Sequence, residues 1–207
     1  MSQFIQKQAH LRNPEAVTVH QHGSRTAGAF VPDQTNIFLV GLRASGKSTL
    51  GQGLARHLEM EFVDTDEMVV GKDGRSIAEI VQTDGWQAFR NLESEALRDV
   101  CSRRGQVVAT GGGIILDPEN QRLIQASGTT FYLMAEIPTL LARLSTAPGT
   151  AHRPPLSNRP LEQELIQSNS QRGPIYMNLA DHILRTEGLV DDILRDALEK
   201  LGVTPSP

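Results

Sequence analysis

Ile37-Phe38-Leu39-Val40-Gly41-Leu42-Arg43-Ala44-Ser45-Gly46-Lys47-Ser48 is the stretch that decides how this chain is read. Four apolar residues, the makings of a buried strand, run directly into Gly-x-x-x-x-Gly-Lys-Ser, and residues 49–58 continue as helix-forming sequence. Strand, glycine-rich turn and helix start, in that order, are the context of a phosphate-binding loop. Glycines let successive backbone N–H groups curl around a polyphosphate, and the helix N-terminus adds its positive end. Ala44, Ser45, Gly46, Lys47, Ser48 and Thr49 are therefore the candidate nucleotide contacts. Lys47 can reach the outer phosphates, and the Ser48 hydroxyl suits a Mg²⁺ position. The plainer alternative is a glycine-rich turn that only caps a helix, and the flanking elements weigh against it.

Outward from this loop, composition sets the limits. A chain of 207 residues with 39% hydrophobic content suits one domain with a single core. The net charge of −4 gives no general attraction to nucleic acid or to an anionic membrane, so neither is expected as a partner. No apolar stretch has the length to span a bilayer. The lone Cys101 leaves no internal disulfide and fits a reducing, cytoplasmic setting. Residues 1–35 read as a polar N-terminal extension whose composition is compatible with disorder. It carries Pro14, Gly23, Gly28 and Pro32, and it lacks the continuous apolar core of a secretory signal. His20 and His22 have no second ligand cluster near them and read as a solvated tail. Residues 36–207 form the expected domain.

Beyond residue 36 the pattern alternates. Residues 37–40, 60–63, 106–109, 130–134 and 182–184 read as strands. Helical stretches fall at 47–58, 76–83, 87–103, 120–126, 137–144, 161–178 and 189–201. Such alternation predicts an α/β fold of three layers, a five-stranded parallel sheet covered on both faces, with ligands beyond the carboxyl ends of the strands. Residues 145–160, rich in Pro, Gly, Ala and Thr and carrying Arg153 and Arg159, break the rhythm and read as a mobile loop.

Four further groups carry candidate chemistry. Asp64-Thr65-Asp66 closes the second strand, and residues two apart on a strand face one way, so both carboxylates would meet the cleft. One would support the metal shell and the other would accept a hydroxyl proton; the alternative is a helix start with Asp64 or Thr65 as N-cap. Thr110-Gly111-Gly112-Gly113 ends the third strand, where bare backbone can touch a ligand, or can simply turn. Trp86, Phe89, Arg90 and Glu93 share one helical neighbourhood. Arg90 and Glu93 are either an ordinary surface ion pair or an arginine held ready for an anionic substrate, and spacing alone leaves this open. Arg153, in Arg153-Pro154-Pro155-Leu156, reads either as a solvated basic residue or as a cation that a closing lid brings over a transferring phosphate. Arg172 lies four residues before Tyr176 in the next helical stretch.

The ordered set resembles the shikimate kinases: the phosphate loop, Phe62-Val63-Asp64-Thr65-Asp66, Gly74-Arg75-Ser76-Ile77-Ala78-Glu79-Ile80, Phe89-Arg90 with Glu93, the glycine run, Arg153-Pro154-Pro155-Leu156, and Arg172 with Tyr176. It covers about residues 36–203, and residues 84–90 and 108–116 are similar to the second-isozyme branch of enteric bacteria. The resemblance implies a P-loop NTPase-type fold with a lid at about residues 145–160. It implies ATP-dependent phosphorylation of the 3-hydroxyl of shikimate, on the route to chorismate and the aromatic amino acids, with Mg²⁺ as cofactor. By the same carry-over, Lys47, Asp66 and Arg153 are catalytic, and Arg153 also contacts the nucleotide. Ser48 ligates the metal directly and Asp64 through water. Asp66, Arg90, Glu93, Gly111, Gly112, Gly113 and Arg172 bind shikimate. The partners implied are shikimate and ATP, and a monomer is expected.

Two departures from the family pattern bear on the nucleotide. Ala44 stands where glycine is usual, which is tolerable with a negative φ. Residues 145–152 hold no arginine to stack on adenine. The rival readings are another small P-loop kinase, acting on gluconate or a nucleoside monophosphate, and a nucleotide switch without a small substrate. The first would lack the set Asp66, Arg90, glycine run and Arg172; against the second, no Asn-Lys-x-Asp segment is present.

Overall fold

The computed structural model describes residues 30–146 and 160–203. Five parallel strands form one sheet in the order β2-β3-β1-β4-β5: β1 Asn36–Val40, β2 Glu61–Asp64, β3 Gln106–Ala109, β4 Gly128–Met134 and β5 His182–Arg185. The phosphate-loop strand β1 is central, with Phe38 opposite Val108 of β3 and Thr130 of β4. It is buried along its whole length, as a strand covered on both faces must be. Its alternation feeds two cores. Ile37 and Leu39 pack beneath Leu50 and Leu54 of α1 (Lys47–Leu58) and Leu198 of α7 (Val190–Lys200). Phe38 and Val40 face Leu97 of α3 (Ile77–Cys101), Ile124 of α4 (Pro118–Ser127), Leu140 of α5 (Ile137–Thr146) and Leu165 and Tyr176 of α6 (Leu161–Leu179). The three layers predicted by the alternation are therefore present.

Polar anchors fix the strand ends away from the site. The Asn36 amide donates to the Arg103 carbonyl and its oxygen accepts from the Gln106 N–H, 2.9 and 3.1 Å, pinning β1 to the turn before β3. Gly128 begins β4 so close to β1 that a Cβ there would lie 2.0 Å from the Asn36 carbonyl oxygen.

Three local features differ from the sequence reading. A helix the periodicity did not suggest, α2 (Thr65–Asp73), starts immediately after β2. Asp64 is its N-cap, accepting from the Asp66 N–H at 3.0 Å, so Asp66 lies on the first helical turn and not on the strand. The helices expected at 76–83 and 87–103 run as one element bent at Gly85, whose φ of 83° and ψ of 169° belong to a region essentially restricted to glycine. Ser76 caps that element in a full capping box with Glu79. Ala44 adopts φ 62°, so the condition of a negative φ is not met, and the conformation costs a residue with a Cβ about 1–2 kcal/mol. The Ala44 carbonyl accepts from Arg143 of α5 at 3.2 Å, which ties the strained residue down. A small apolar cluster of Val69, Ile77, Ile80, Phe89 and Ala96 packs α2 against both arms of α3 beside the cleft. Arg153 and residues 147–159 of the expected lid, with residues 1–29 of the extension, lie outside the described residues.

Candidate active site

The carboxyl ends of β1, β2 and β3 converge, and each of these strands leads into a polar segment. After β1 comes the phosphate loop, with Gly46 at φ 96° turning the chain into α1. Lys47 is buried, its ammonium donating to the carbonyls of Gly41 at 3.0 Å and Leu42 at 2.7 Å and to the Ser45 hydroxyl at 3.4 Å, so its charge sits inside the loop. The Ser48 hydroxyl donates to Asp64 at 2.8 Å. That contact joins the first turn of α1 to the end of β2 and sets two hard oxygen ligands side by side.

Thr65 and Asp66 then lead into a second compartment. The buried Thr65 hydroxyl accepts from the Gly111 N–H at 2.9 Å, holding the glycine run of β3 against the start of α2. Asp66, also buried, lines a cleft with Trp86, Phe89, Arg90, Glu93, Gly111 to Gly113 and Arg172.

The glycines are required by what packs on them. A Cβ on Gly111 would lie 2.2 Å from Glu93 Oε1, and one on Gly113 would lie 2.3 Å from Arg90 Nη1. Bare backbone lets both side chains lie flat on the cleft wall. Arg90 donates to Glu93, and its guanidinium carbon stands 5.4 Å from the Trp86 ring centre and 5.3 Å from that of Phe89. Glu93 is almost fully buried, and burial pushes its carboxyl above the usual range, opposed by the charges of Arg90 and Arg172. The pair is thus a desolvated pair in a cleft wall, and the surface-pair alternative falls away.

Arg172 enters from α6. Its Nη1 donates to the Gly112 carbonyl at 3.2 Å, the oxygen that the Tyr176 hydroxyl also meets. Among the described residues its buried Nε has no hydrogen-bond partner. Burial holds the Tyr176 hydroxyl protonated, well above its ordinary range, so it serves as a donor. Two arginines from different helices therefore reach one cleft, the fork geometry that suits a carboxylate.

The structure brings together every described residue of the sequence-derived set: Ala44 to Thr49 and Asp64 around the loop, and Asp66, Arg90, Glu93, the glycine run and Arg172 around the cleft. Arg43, Leu42, Ile77, Leu165 and Ser168 also line the cleft and were passed over, since spacing within a loop or one helix cannot show which side faces a distant strand. Arg143 of α5, two residues before residue 145, joins the Ala44 carbonyl to Thr186 beyond β5.

The family model for shikimate kinase matches residues 43–202. The chain belongs to the shikimate kinase family. It is 44% identical over 165 residues to the shikimate kinase 2 of Syntrophotalea carbinolica, covering 80% of this chain and 95% of that one. With the shikimate kinase 2 of an Enterobacter species it shares 43% identity over 148 residues, 72% of this chain and 84% of the relative. The solved structure of a shikimate kinase from Acinetobacter baumannii in complex with shikimate matches at a TM-score of 0.75 and 32% identity, over 80% of this chain and 91% of that one. The second-isozyme resemblance read from the sequence is borne out by these relatives. The family's activity is ATP-dependent phosphorylation of shikimate in aromatic biosynthesis.

Proposed function

We propose that the loop compartment holds ATP and the arginine-lined cleft holds shikimate, with transfer of the γ-phosphoryl group to the 3-hydroxyl where the two meet. One observation carries this division. Asp64 and Asp66, two residues apart across a helix cap, serve the two compartments separately, Asp64 on Ser48 and Asp66 in the cleft with Gly111. The Gly112 backbone adjoins the Gly41 carbonyl as well, since a Cβ there would lie 3.2 Å from it. Donor and acceptor sites thus share a wall, and phosphoryl transfer needs alignment and charge neutralisation more than covalent help.

In this reading Arg90 and Arg172 clamp the shikimate carboxylate, Glu93 holds Arg90 in place, and Asp66 binds the ring hydroxyls and accepts the proton of the attacking one. Gly111, Gly112 and Gly113 bring backbone to the ring face. Lys47 and the amides of Ala44 to Thr49 bind the phosphates, and Arg153 adds charge over the transferring group. Arg143, a planar cation anchored to the Ala44 carbonyl at 3.2 Å, offers the adenine a flat surface at the side of the loop.

The hydroxyl of Ser48 and the carboxylate of Asp64, 2.8 Å apart, fit Mg²⁺, which takes oxygen ligands and keeps several waters. Among the described residues no group of three or more His, Cys, Asp or Glu forms a cage, in keeping with an ion held mainly by phosphate and water. Ser48 would ligate it and Asp64 would hold it through water; the ion supplies charge neutralisation on the phosphate oxygens. Among those residues, too, no helix is long and apolar enough to cross a membrane. We expect a cytoplasmic monomer.

A coupled ADP-release assay with shikimate, gluconate and nucleoside monophosphates tests the reading. Turnover is expected with shikimate alone. Turnover with gluconate in its place would reassign the acceptor cleft.

A further inference from the structure

Arg43, the third residue of the phosphate loop, pairs with Glu164 in the first turn of α6, Nη2 to Oε1 at 2.6 Å. Both side chains are largely removed from solvent, with relative exposures of 18% and 4%. Four residues after Glu164, Ser168 lines the cleft, and the same helix then carries Arg172 and Tyr176 onto the Gly112 carbonyl. One helix is therefore fastened at its start to the nucleotide loop and near its end to the wall of the acid-binding cleft.

We propose that the Arg43–Glu164 pair is a positioning element that couples the two substrate subsites, so that occupancy of one raises affinity at the other. The inference rests on the assignment of the cleft to shikimate made above. A desolvated ion pair contributes little net stability compared with apolar residues of the same volume, so stability alone does not account for it. Its two charges sit on different elements, so a shift of either element changes their separation and with it their interaction energy. An acid seated on Arg172 fixes α6. Glu164, on the same helix, then fixes Arg43 and with it the loop, so the nucleotide meets a loop already ordered. By linkage the nucleotide strengthens acid binding by the same factor. The chain between Arg43 and Lys47 is only three residues, so displacement of the arginine reaches the phosphate cradle directly.

The test measures the affinity of a non-hydrolysable ATP analogue with Mg²⁺, by calorimetry, without and with saturating shikimate, and shikimate affinity alone by Trp86 fluorescence. In the parent, shikimate is expected to tighten nucleotide binding about fivefold or more, within the usual range of site-to-site coupling. Glu164→Gln should bring that ratio to within about twofold of unity while each ligand measured alone keeps its affinity within about threefold. Because breaking one partner of a desolvated pair can harm folding, the double variant Arg43→Met/Glu164→Leu is measured beside it and should lose the coupling equally. A parent ratio near unity, or variants that keep the parent ratio, overturns the inference and leaves the shikimate assignment standing. A parent that does not bind shikimate overturns both.

Discussion

Arg90 touches two rings, a carboxylate and a glycine wall at once, and each contact constrains a different degree of freedom. Trp86 and Phe89 fix the plane of the guanidinium, Glu93 fixes its rotation, and Gly113 makes room for it. Lysine keeps the charge and loses the fork, so Arg90→Lys should raise the KM for shikimate about tenfold or more with a smaller change in kcat. Unchanged steady-state kinetics would remove Arg90 from the clamp. Glu93 gives a pH signature. Burial raises its folded pKa above the unfolded value, so ionisation costs the folded state as pH climbs out of the ordinary carboxylate range. Glu93→Gln removes that cost. The melting temperature of the variant minus that of the parent should therefore increase from pH 5 to pH 8, and a flat difference across that window would place the Glu93 pKa at its ordinary value. Ala44 was legible as a departure at this scale, but its backbone angle was not, because that angle is set by the loop's closure and the bond from Arg143.

At the scale of elements, the bend in α3 is the decisive local device. Gly85 lets one helical path turn so that Ile80 packs over α2 and Trp86 and Arg90 face the cleft, with Ile77 and Phe89 touching both. Among the described residues a Cβ at Gly85 meets no neighbour, so the expected cost of Gly85→Ala is backbone strain. That strain is about 1–3 kcal/mol, a fall in melting temperature of about 2–12 °C for a domain of this size. Equal melting curves would mean that the bend tolerates a side chain. The helical period predicted both arms of this element but not their angle. It also missed α2, whose residues Thr65–Asp73 carry no strong apolar stripe and whose start is signalled only by the Asp64 cap. The paired carboxylates were expected on one strand face. The cap sends them to two compartments instead, the arrangement on which the two-substrate reading depends.

Across the whole molecule, one sheet separates two apolar layers, and all the polar chemistry sits at the carboxyl ends of β1, β2 and β3. The family match begins at residue 43, and the cleft draws on residues from Leu42 to Arg172, so the first residues of the chain supply none of its described lining. Deleting residues 1–29 should leave kcat/KM for shikimate within about twofold of the parent. Deleting residues 1–35 also strips Phe30 from the core layer under α1 and α7, at a cost of about 1–2 kcal/mol by area. A thermal melt of both truncations checks the contrast, and equal stability would place Phe30 outside the core.

The phosphate loop, the five strands, the helical stretches other than α2 and the chemical types of the site were determined along the chain. Each depends on residues within about ten positions of one another, where spacing fixes direction. What only the tertiary structure decided is which groups meet: Ser48 with Asp64, Thr65 with Gly111, Arg43 with Glu164, Arg172 with Gly112. Those contacts join segments brought together by sheet register and helix packing. Helical and strand periods repeat within an element and carry no information about its placement against another.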